Sequence, residues 1–564
     1  MVIKMNGDPL PETKCNKKRE RVAAMWKIGR QILGIISISV LISIMMSGCQ
    51  NSKTKEQDLL RLKSASGAQP KKVIYVLVDS LMPQAIDRGI RAKELPTLQY
   101  LTEHGQYYKN LVSSFPTMSV SIDSTLLTGK YPIDHRVPGL TWYSAKDKKV
   151  INYGTGPVEI VQQGVNRVLN DAIIHLNQDH LSNGVTTIHE DLTQRGMKSG
   201  SVNGLVYRGA RDHTLSFPGW IHIPSTLPKE IHVKGPDFLT LGSLSNPLEG
   251  QISLPESLTD KLGFNNDYAI EVVKYLVRSR KLPDFLFVYL PDLDQELHKN
   301  GPSASKGLKA LDRQLDSLLQ SFGSREQALK EAVIIVAGDS GMTAIRPSDQ
   351  NPEIDLPDLI GDAKVLSPGE TGSKEKDILF AVNETMAYVY SLKGKASLNN
   401  AAALLQADSR IDFVSWRDRD RIHVSQGGTT KQLSYKAGGT LKDPYKQSWT
   451  LEGDAEVLDL RVNQEDQTLD YDDYPDALMR LSSALHSHEG DYLVVTAKPG
   501  YELTDKSSPK HEGGGGHGSI RKAESLVPLI IGGTAQRPQS LRVVDLKYYL
   551  LDLLSNDLQN NGMK

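Results

Sequence analysis

The chain of 564 residues holds only two cysteines, Cys15 and Cys49, both within its first 50 residues. The body therefore has no disulfide, no thiolate metal site and no cysteine nucleophile. Charge of one sign is also scarce: 66 Lys and Arg against 67 Asp and Glu give a formal net charge of -1. No basic tract lies beyond the N-terminus, so binding of duplex nucleic acid is not expected. What remains, 39 % hydrophobic residues with 46 Gly, is ordinary globular composition with room for a large core. It excludes disorder and collagen-like structure.

The first 49 residues read as a separate segment. Lys17, Lys18, Arg19, Arg21, Lys27 and Arg30 precede an apolar run from Leu33 to Met46. That run is short of the ~20 residues of a membrane span and suits the core of a signal peptide. It ends in "MSGC", which resembles a bacterial lipobox with Cys49 as the lipidated residue, although Met46 stands where Leu is usual. Met25 is an alternative start. An uncleaved anchor is the other reading, and both place the body outside the cytoplasm. Residues 50–70 are polar and read as a tether.

Five apolar runs read as buried strands: "KKVIYVLVD" (71–79), "DFLFVYLPD" (284–292), "AVIIVAGD" (332–339), "DYLVVTAKPG" (491–500) and "LVPLIIGG" (526–533). The segments 267–281 and 305–323 carry helical spacing between them. The class is therefore α/β, with a mainly parallel sheet covered on both faces. Segments 140–260 and 345–490 read as cap insertions in a domain spanning 71–550, with a tail over 551–564. The acidic stretch 465–476 lacks the spacing of an EF-hand loop and reads as a solvated turn.

Three runs end in acids, Asp79, Asp292 (with Asp294 just beyond) and Asp339, and a fourth leads to a Gly-rich loop bearing His517. Carboxyl ends of strands in open α/β sheets form the ligand crevice, so one pocket could collect all of them. In "SSFPTMSVSIDSTLLTGKYP" (113–132), hydroxyls lead into a helix that stops at Thr128-Gly129. A hydroxyl there either caps the helix or stands where the amide end favours phosphate. Asp294 and His298, four apart, suit Zn²⁺ or Mn²⁺ if a helical turn aligns them, and a surface ion pair gives the same pattern. Gly-Asp-Ser-Gly at 338–341 matches the residues around a trypsin-like serine, but it ends a buried strand of an α/β pattern, Met342 follows it, and the body has no disulfides. A trypsin-like protease is not expected.

Together these motifs resemble the type I phosphodiesterase/nucleotide pyrophosphatase family of the alkaline phosphatase superfamily, over about 72–135, 284–345 and 490–550. The resemblance implies an alkaline-phosphatase-like three-layer sandwich and two divalent ions, Zn or Mn, with Mg an option at one site. It implies a nucleophile nine residues before Thr128, Ser119, with Thr117 the alternative. Asp79, Asp339 and Ser119 would surround one ion, and Asp294, His298 and His517 the other. The sulfatase motif C/S-x-P-x-R is missing around Ser119.

Ser340 departs from the family, which has Asp-His-Gly there. Three outcomes are open: an oxygen-preferring ion such as Mn²⁺ or Mg²⁺, replacement by His511 or Glu512, or a weakened or one-metal site. The activity the resemblance implies is extracytoplasmic, metal-dependent hydrolysis of a small phosphoester by a phosphodiesterase/nucleotide pyrophosphatase, with the membrane as partner through a lipid anchor. A phosphomonoesterase or head-group transferase, and a non-catalytic binding protein, are the alternatives. Trp142 and Tyr143 could stack on a base, or pack in a core beneath the cap.

Overall fold

Runs apolar at every position, such as KVIYVLV, have no face to give to water and must be covered on both sides. In a computed structural model the chain does this with two sheets. The structure describes residues 71–154, 165–216, 230–257, 259–361, 363–366 and 376–561. The N-terminal segment with Cys15 and Cys49 and the tether over 50–70 lie outside the described residues. No helix among the described residues is long and apolar enough to cross a membrane.

In chain order the strands used below are β1 (Lys72–Val78), β2 (Gln106–Val112), β3 (Ser199–Val202), β4 (Phe238–Thr240), β5 (Phe285–Leu290), β6 (Ala332–Gly338), β7 (Ile378–Asn383), β8 (Met386–Ser391), β9 (Ile411–Asp418), β10 (Arg421–Gln426), β11 (Gln432–Lys442), β12 (Tyr492–Ala497) and β13 (Leu526–Gly532). The central sheet has the order β2-β13-β6-β1-β5-β3-β4. The run β6-β1-β5-β3-β4 is parallel, while β13 is antiparallel to both β6 and β2.

Alternate residues of β1 feed opposite layers. Val73, Tyr75 and Leu77 pack with helices α1 (Ser119–Thr128) and, at the far end of the chain, Val543–Asn561. Ile74, Val76 and Val78 pack with α2 (Asn266–Arg278) and α4 (Lys306–Gln320), which flank α3 (Asp292–Asn300) in sequence. Each fully buried Val, Ile or Leu contributes roughly 1.5–3 kcal/mol. The result is the three-layer sandwich expected. The final helix runs from Val543 to Asn561, across the boundary drawn at 550.

The second sheet is antiparallel through β7-β8-β12-β9-β10-β11. It corrects one expectation: the apolar run at 491–500 forms β12 in this sheet, not a strand of the central one. The second sheet is also covered on both faces near its middle, with Tyr492 and Val494 in one cluster and Leu493 and Val495 in another. A continuous apolar run therefore could not tell the two sheets apart. Segment 140–260 also does more than cap, because it supplies β3 and β4 to the central sheet. Most of the second sheet comes from 345–490.

Candidate metal centre

β1 and β6 are parallel neighbours with Val78 opposite Gly338. The residues that follow them, Asp79 and Asp339, therefore emerge side by side at the carboxyl end, 6 % and 0 % exposed. Asp339 Oδ1 accepts hydrogen bonds from the backbone N–H of Ser80 (2.9 Å) and of Ser340 (2.5 Å). Its Oδ2 is buried with no hydrogen-bond partner. A buried carboxylate oxygen left unpaired is costly, by at least about 1–3 kcal/mol, and invites a cation. Asp79 Oδ2 accepts from the Tyr289 hydroxyl on β5, and its Oδ1 accepts from Ser119 Oγ at 3.4 Å. Burial, with Asp294 and Asp339 nearby, pushes the Asp79 carboxyl well above the ordinary range; burial also raises Asp339.

Ser119 is the first residue of α1, and no side chain caps that end. Its hydroxyl is therefore not spent as a cap. Thr117, the alternative, is fully buried. Its Oγ1 donates to the Ser519 carbonyl (3.1 Å) and accepts from Gly518 N–H (2.8 Å). The helix closes at Gly129, φ 64°, as the Thr-Gly signal suggested.

Helix α3 aligns Asp294 and His298, with Nε2 3.1 Å from Oδ1. His517 Nε2 stands 3.5 Å from the same oxygen. The Nδ1 atoms of both rings meet backbone carbonyls, His298 at Gly515 O (2.9 Å) and His517 at Thr117 O (2.6 Å). A carbonyl only accepts, so Nδ1 carries the proton and Nε2 is the nitrogen offered to an ion. Burial lowers both imidazoles, but Glu384 and Asp294 outweigh it and raise each to about 10. Asp294 is held far below the usual range by the two imidazoles, against the opposing effect of burial. Three donors close enough to share one ion result, Asp294, His298 and His517.

The Gly-rich loop must pass very close to α3. A Cβ at Gly514 would strike the His298 carbonyl oxygen, and one at Gly515 the Met342 sulfur. That approach brings His511 beside His298, ring centroids 4.4 Å apart. Glu512 is exposed, and burial of the centre does not extend to it. Asp292 is also away from the centre, accepting from Lys261 Nζ (2.7 Å) and Asn266 N–H (2.8 Å). Trp142 and Tyr143 are buried: Trp142 packs edge-on to His180 and His488, and Tyr143 against Tyr390.

Two contributors escaped the sequence reading. Ser80, at φ 58°, donates from Oγ to Asp294 Oδ1 at 2.7 Å and lies 3.2 Å from Ser340 Oγ. Ser80 thus links the two groups of acids, its hydroxyl on Asp294 and its backbone N–H on Asp339. Glu384, in the turn between β7 and β8, places Oε1 3.7 Å from His298 Nε2 and 4.0 Å from His517 Nε2. Glu at a hairpin tip normally faces water, so nothing local in "AVNETMAYVY" pointed inward.

The sequence pattern of the type I phosphodiesterase / nucleotide pyrophosphatase family matches residues 73–520. The chain belongs to that family. It is accordingly a phosphoester hydrolase. No curated protein matches the chain in sequence. Among solved structures it is similar to the phosphonoacetate hydrolase of Sinorhizobium meliloti 1021 in complex with phosphonoformate, at 17 % identity and TM-score 0.51, covering 86 % of this chain and 97 % of that one. Murine ectonucleotide pyrophosphatase/phosphodiesterase 5 is similar at 14 % identity and TM-score 0.51, covering 86 % and 95 %. At such identities the likeness is one of fold, an alkaline-phosphatase-like α/β architecture.

Proposed function

We propose that the protein is an extracytoplasmic phosphodiesterase/nucleotide pyrophosphatase, tethered through lipid on Cys49, with Ser119 as nucleophile and two divalent ions. The observation that carries this reading is Ser119 Oγ at the uncapped start of α1, 3.4 Å from Asp79 Oδ1. The donors fit such ions: the orphaned Asp339 Oδ2 faces no protein partner, and both imidazoles present Nε2 with Nδ1 already engaged. Asp79, Asp339 and Ser119 would hold one ion with oxygen alone, which suits Mn²⁺ or Mg²⁺; Asp294, His298 and His517 would hold the other, which suits Zn²⁺ or Mn²⁺.

When bound, the ions would neutralise charge on the phosphoryl oxygens and favour the ionised form of a hydroxyl. The chain's own residues do the rest. Ser119 attacks phosphorus, its oxygen forming the new P–O bond while the bond to the leaving oxygen breaks, and the proton lost by the hydroxyl is balanced by the one the leaving oxygen takes up as it departs as an alcohol. The free amides at the start of α1 receive phosphoryl oxygens. Asp79 fixes the Ser119 hydroxyl and is itself fixed by Tyr289. Water then cleaves the bond between phosphorus and the Ser119 oxygen, returning a proton to Ser119 and releasing the phosphomonoester that keeps the remaining ester group.

The test is hydrolysis of an aryl phosphodiester and an aryl phosphomonoester by the purified protein, with chelator and ion add-back. The diester should turn over faster, and chelator should stop turnover reversibly. Monoester preference would favour the phosphomonoesterase reading; no turnover with any divalent ion and no bound metal would favour a binding protein. Anchoring is tested by alkyne-fatty-acid labelling in cells, which should vanish in Cys49→Ala.

A further inference from the structure

Two sets of metal-competent side chains share one nitrogen. Asp294, His298 and His517 form the first set, and His298, Glu384 and His511 the second, the ligand atoms of each lying within 4.8 Å of one another. His298 Nδ1 is engaged by the Gly515 carbonyl at 2.9 Å, so only its Nε2 can meet a cation. One lone pair serves one ion, so the two sets cannot hold separate ions at once; Glu384 links them, with Oε1 3.7 Å from His298 Nε2 and 4.0 Å from His517 Nε2.

We infer that Glu384 and His511 are ligands of the ion held by Asp294, His298 and His517, making this a three-imidazole, two-carboxylate centre. The inference rests on the reading that this site takes a divalent ion. Glu384 is placed rather than free. Its backbone carbonyl accepts from Leu503 N–H (2.9 Å), and its Oε2 from His517 N–H (3.0 Å). Its side chain is 12 % exposed, and among the described residues its ion pairs are with His298 and His517, not with Lys or Arg. A carboxylate turned into a histidine cluster without a Lys or Arg partner is a donor for a cation.

His511 is prepared in the same way as the other two imidazoles. Its Nδ1 lies 3.0 Å from Oε2 of Glu502, which is wholly buried, and its backbone N–H donates to the other Glu502 oxygen at 2.8 Å. Carboxylate on one nitrogen and ion on the other is the usual way a ligating histidine is oriented and made more basic. Glu384 comes from the second sheet, whereas Asp294 and His298 follow a strand of the central sheet. The ion would thus tie the hairpin β7–β8 to the carboxyl ends of the parallel strands.

The test uses the purified protein and its Glu384→Gln, Glu384→Asp and His511→Ala variants, each shown to keep its far-ultraviolet circular dichroism without ions. Zn²⁺ affinity is read by competition with a chromogenic chelator, metal per chain by elemental analysis, and coordination by visible absorption of the Co²⁺-loaded protein. Glu384→Gln and His511→Ala should each weaken Zn²⁺ binding about 10–100-fold, the range for residues that support a metal site, and change the Co²⁺ spectrum. Glu384→Asp, with the charge kept but the reach shortened, should show the same changes in smaller measure. Wild-type affinity and an unaltered Co²⁺ spectrum in both Glu384→Gln and His511→Ala would overturn the inference alone. A wild-type protein that retains no divalent ion would overturn the reading of the site itself.

Discussion

The two halves of the centre are built from different chemistry. The half beside Ser119 offers oxygen only, from Asp79, Asp339 and Ser119, and both its carboxylates are buried. The half on α3 and the Gly-rich loop offers imidazole nitrogen from His298 and His517, with Asp294, and His511 and Glu384 close by. In the first half protein N–H groups already occupy one oxygen of Asp339 and leave the other bare. In the second every imidazole is oriented by a partner on its far nitrogen. Oxygen-only donors select hard ions and imidazole-rich donors select transition ions, so the proposed pair of ions would be of unlike kinds.

The sharpest way to break this comparison is Ser119→Ala, which removes the proposed nucleophile and one proposed oxygen donor. Turnover should fall at least about 10³-fold, since loss of a nucleophile in other hydrolases costs as much or more, while the ion at His298 stays. His517→Ala strikes the other half: Zn²⁺ affinity should fall by roughly 100-fold, within the span seen on perturbing metal sites, with the oxygen-only half keeping its Mn²⁺.

Next in size is the response to pH. Without ions His298 and His517 are raised to about 10, so both are protonated at neutral pH, and a cation must displace those protons. Zn²⁺ affinity should rise between pH 6 and 9, by up to about tenfold per pH unit for each proton released. The sign for stability is opposite in the ion-free protein. A raised imidazole stabilises fully below its ordinary value of about 6.5 and loses that contribution as pH rises through about 10. Thermal unfolding of ion-free protein should therefore soften from neutral to alkaline pH, and the ion-loaded protein should resist this.

Ser340→His sharpens the contrast by giving the oxygen-only half an imidazole. Its preference should move from Mn²⁺ toward Zn²⁺, by about tenfold in relative affinity, read by competition between the two ions. The smallest effect on chemistry is expected from Thr117→Val. It loses the bonds to Ser519 and Gly518 and should cost about 1–3 kcal/mol of stability while turnover stays within tenfold.

Much of the centre was legible because chain-local rules set it. Acids after fully apolar runs marked Asp79 and Asp339, and spacing of four put Asp294 and His298 on one face of what is helix α3. Close passage of the loop at Gly514 and Gly515 explains why a Gly tract precedes His517. The remainder depends on how distant segments meet. Glu384 sits on a hairpin whose sequence would suit a solvated tip, and it turns inward only because the second sheet docks its β7–β8 turn against His517. Ser80 gave no signal because its left-handed backbone and its bonds to Asp294 and Ser340 need three strand ends in place. β3 escaped notice because Ser199-Gly200-Ser201 is too small and polar to read as buried, although β5 and β4 enclose it on either side.

The account turns on which atom attacks phosphorus. Protein mixed with an aryl phosphodiester in Mn²⁺ and Zn²⁺ can be quenched in acid during turnover and its peptides analysed by mass spectrometry. A phosphoryl adduct on Ser119, missing in Ser119→Ala, is the predicted result. Steady turnover by Ser119→Ala at the wild-type rate, or an adduct on Thr117 with Ser119 unmodified, would contradict it.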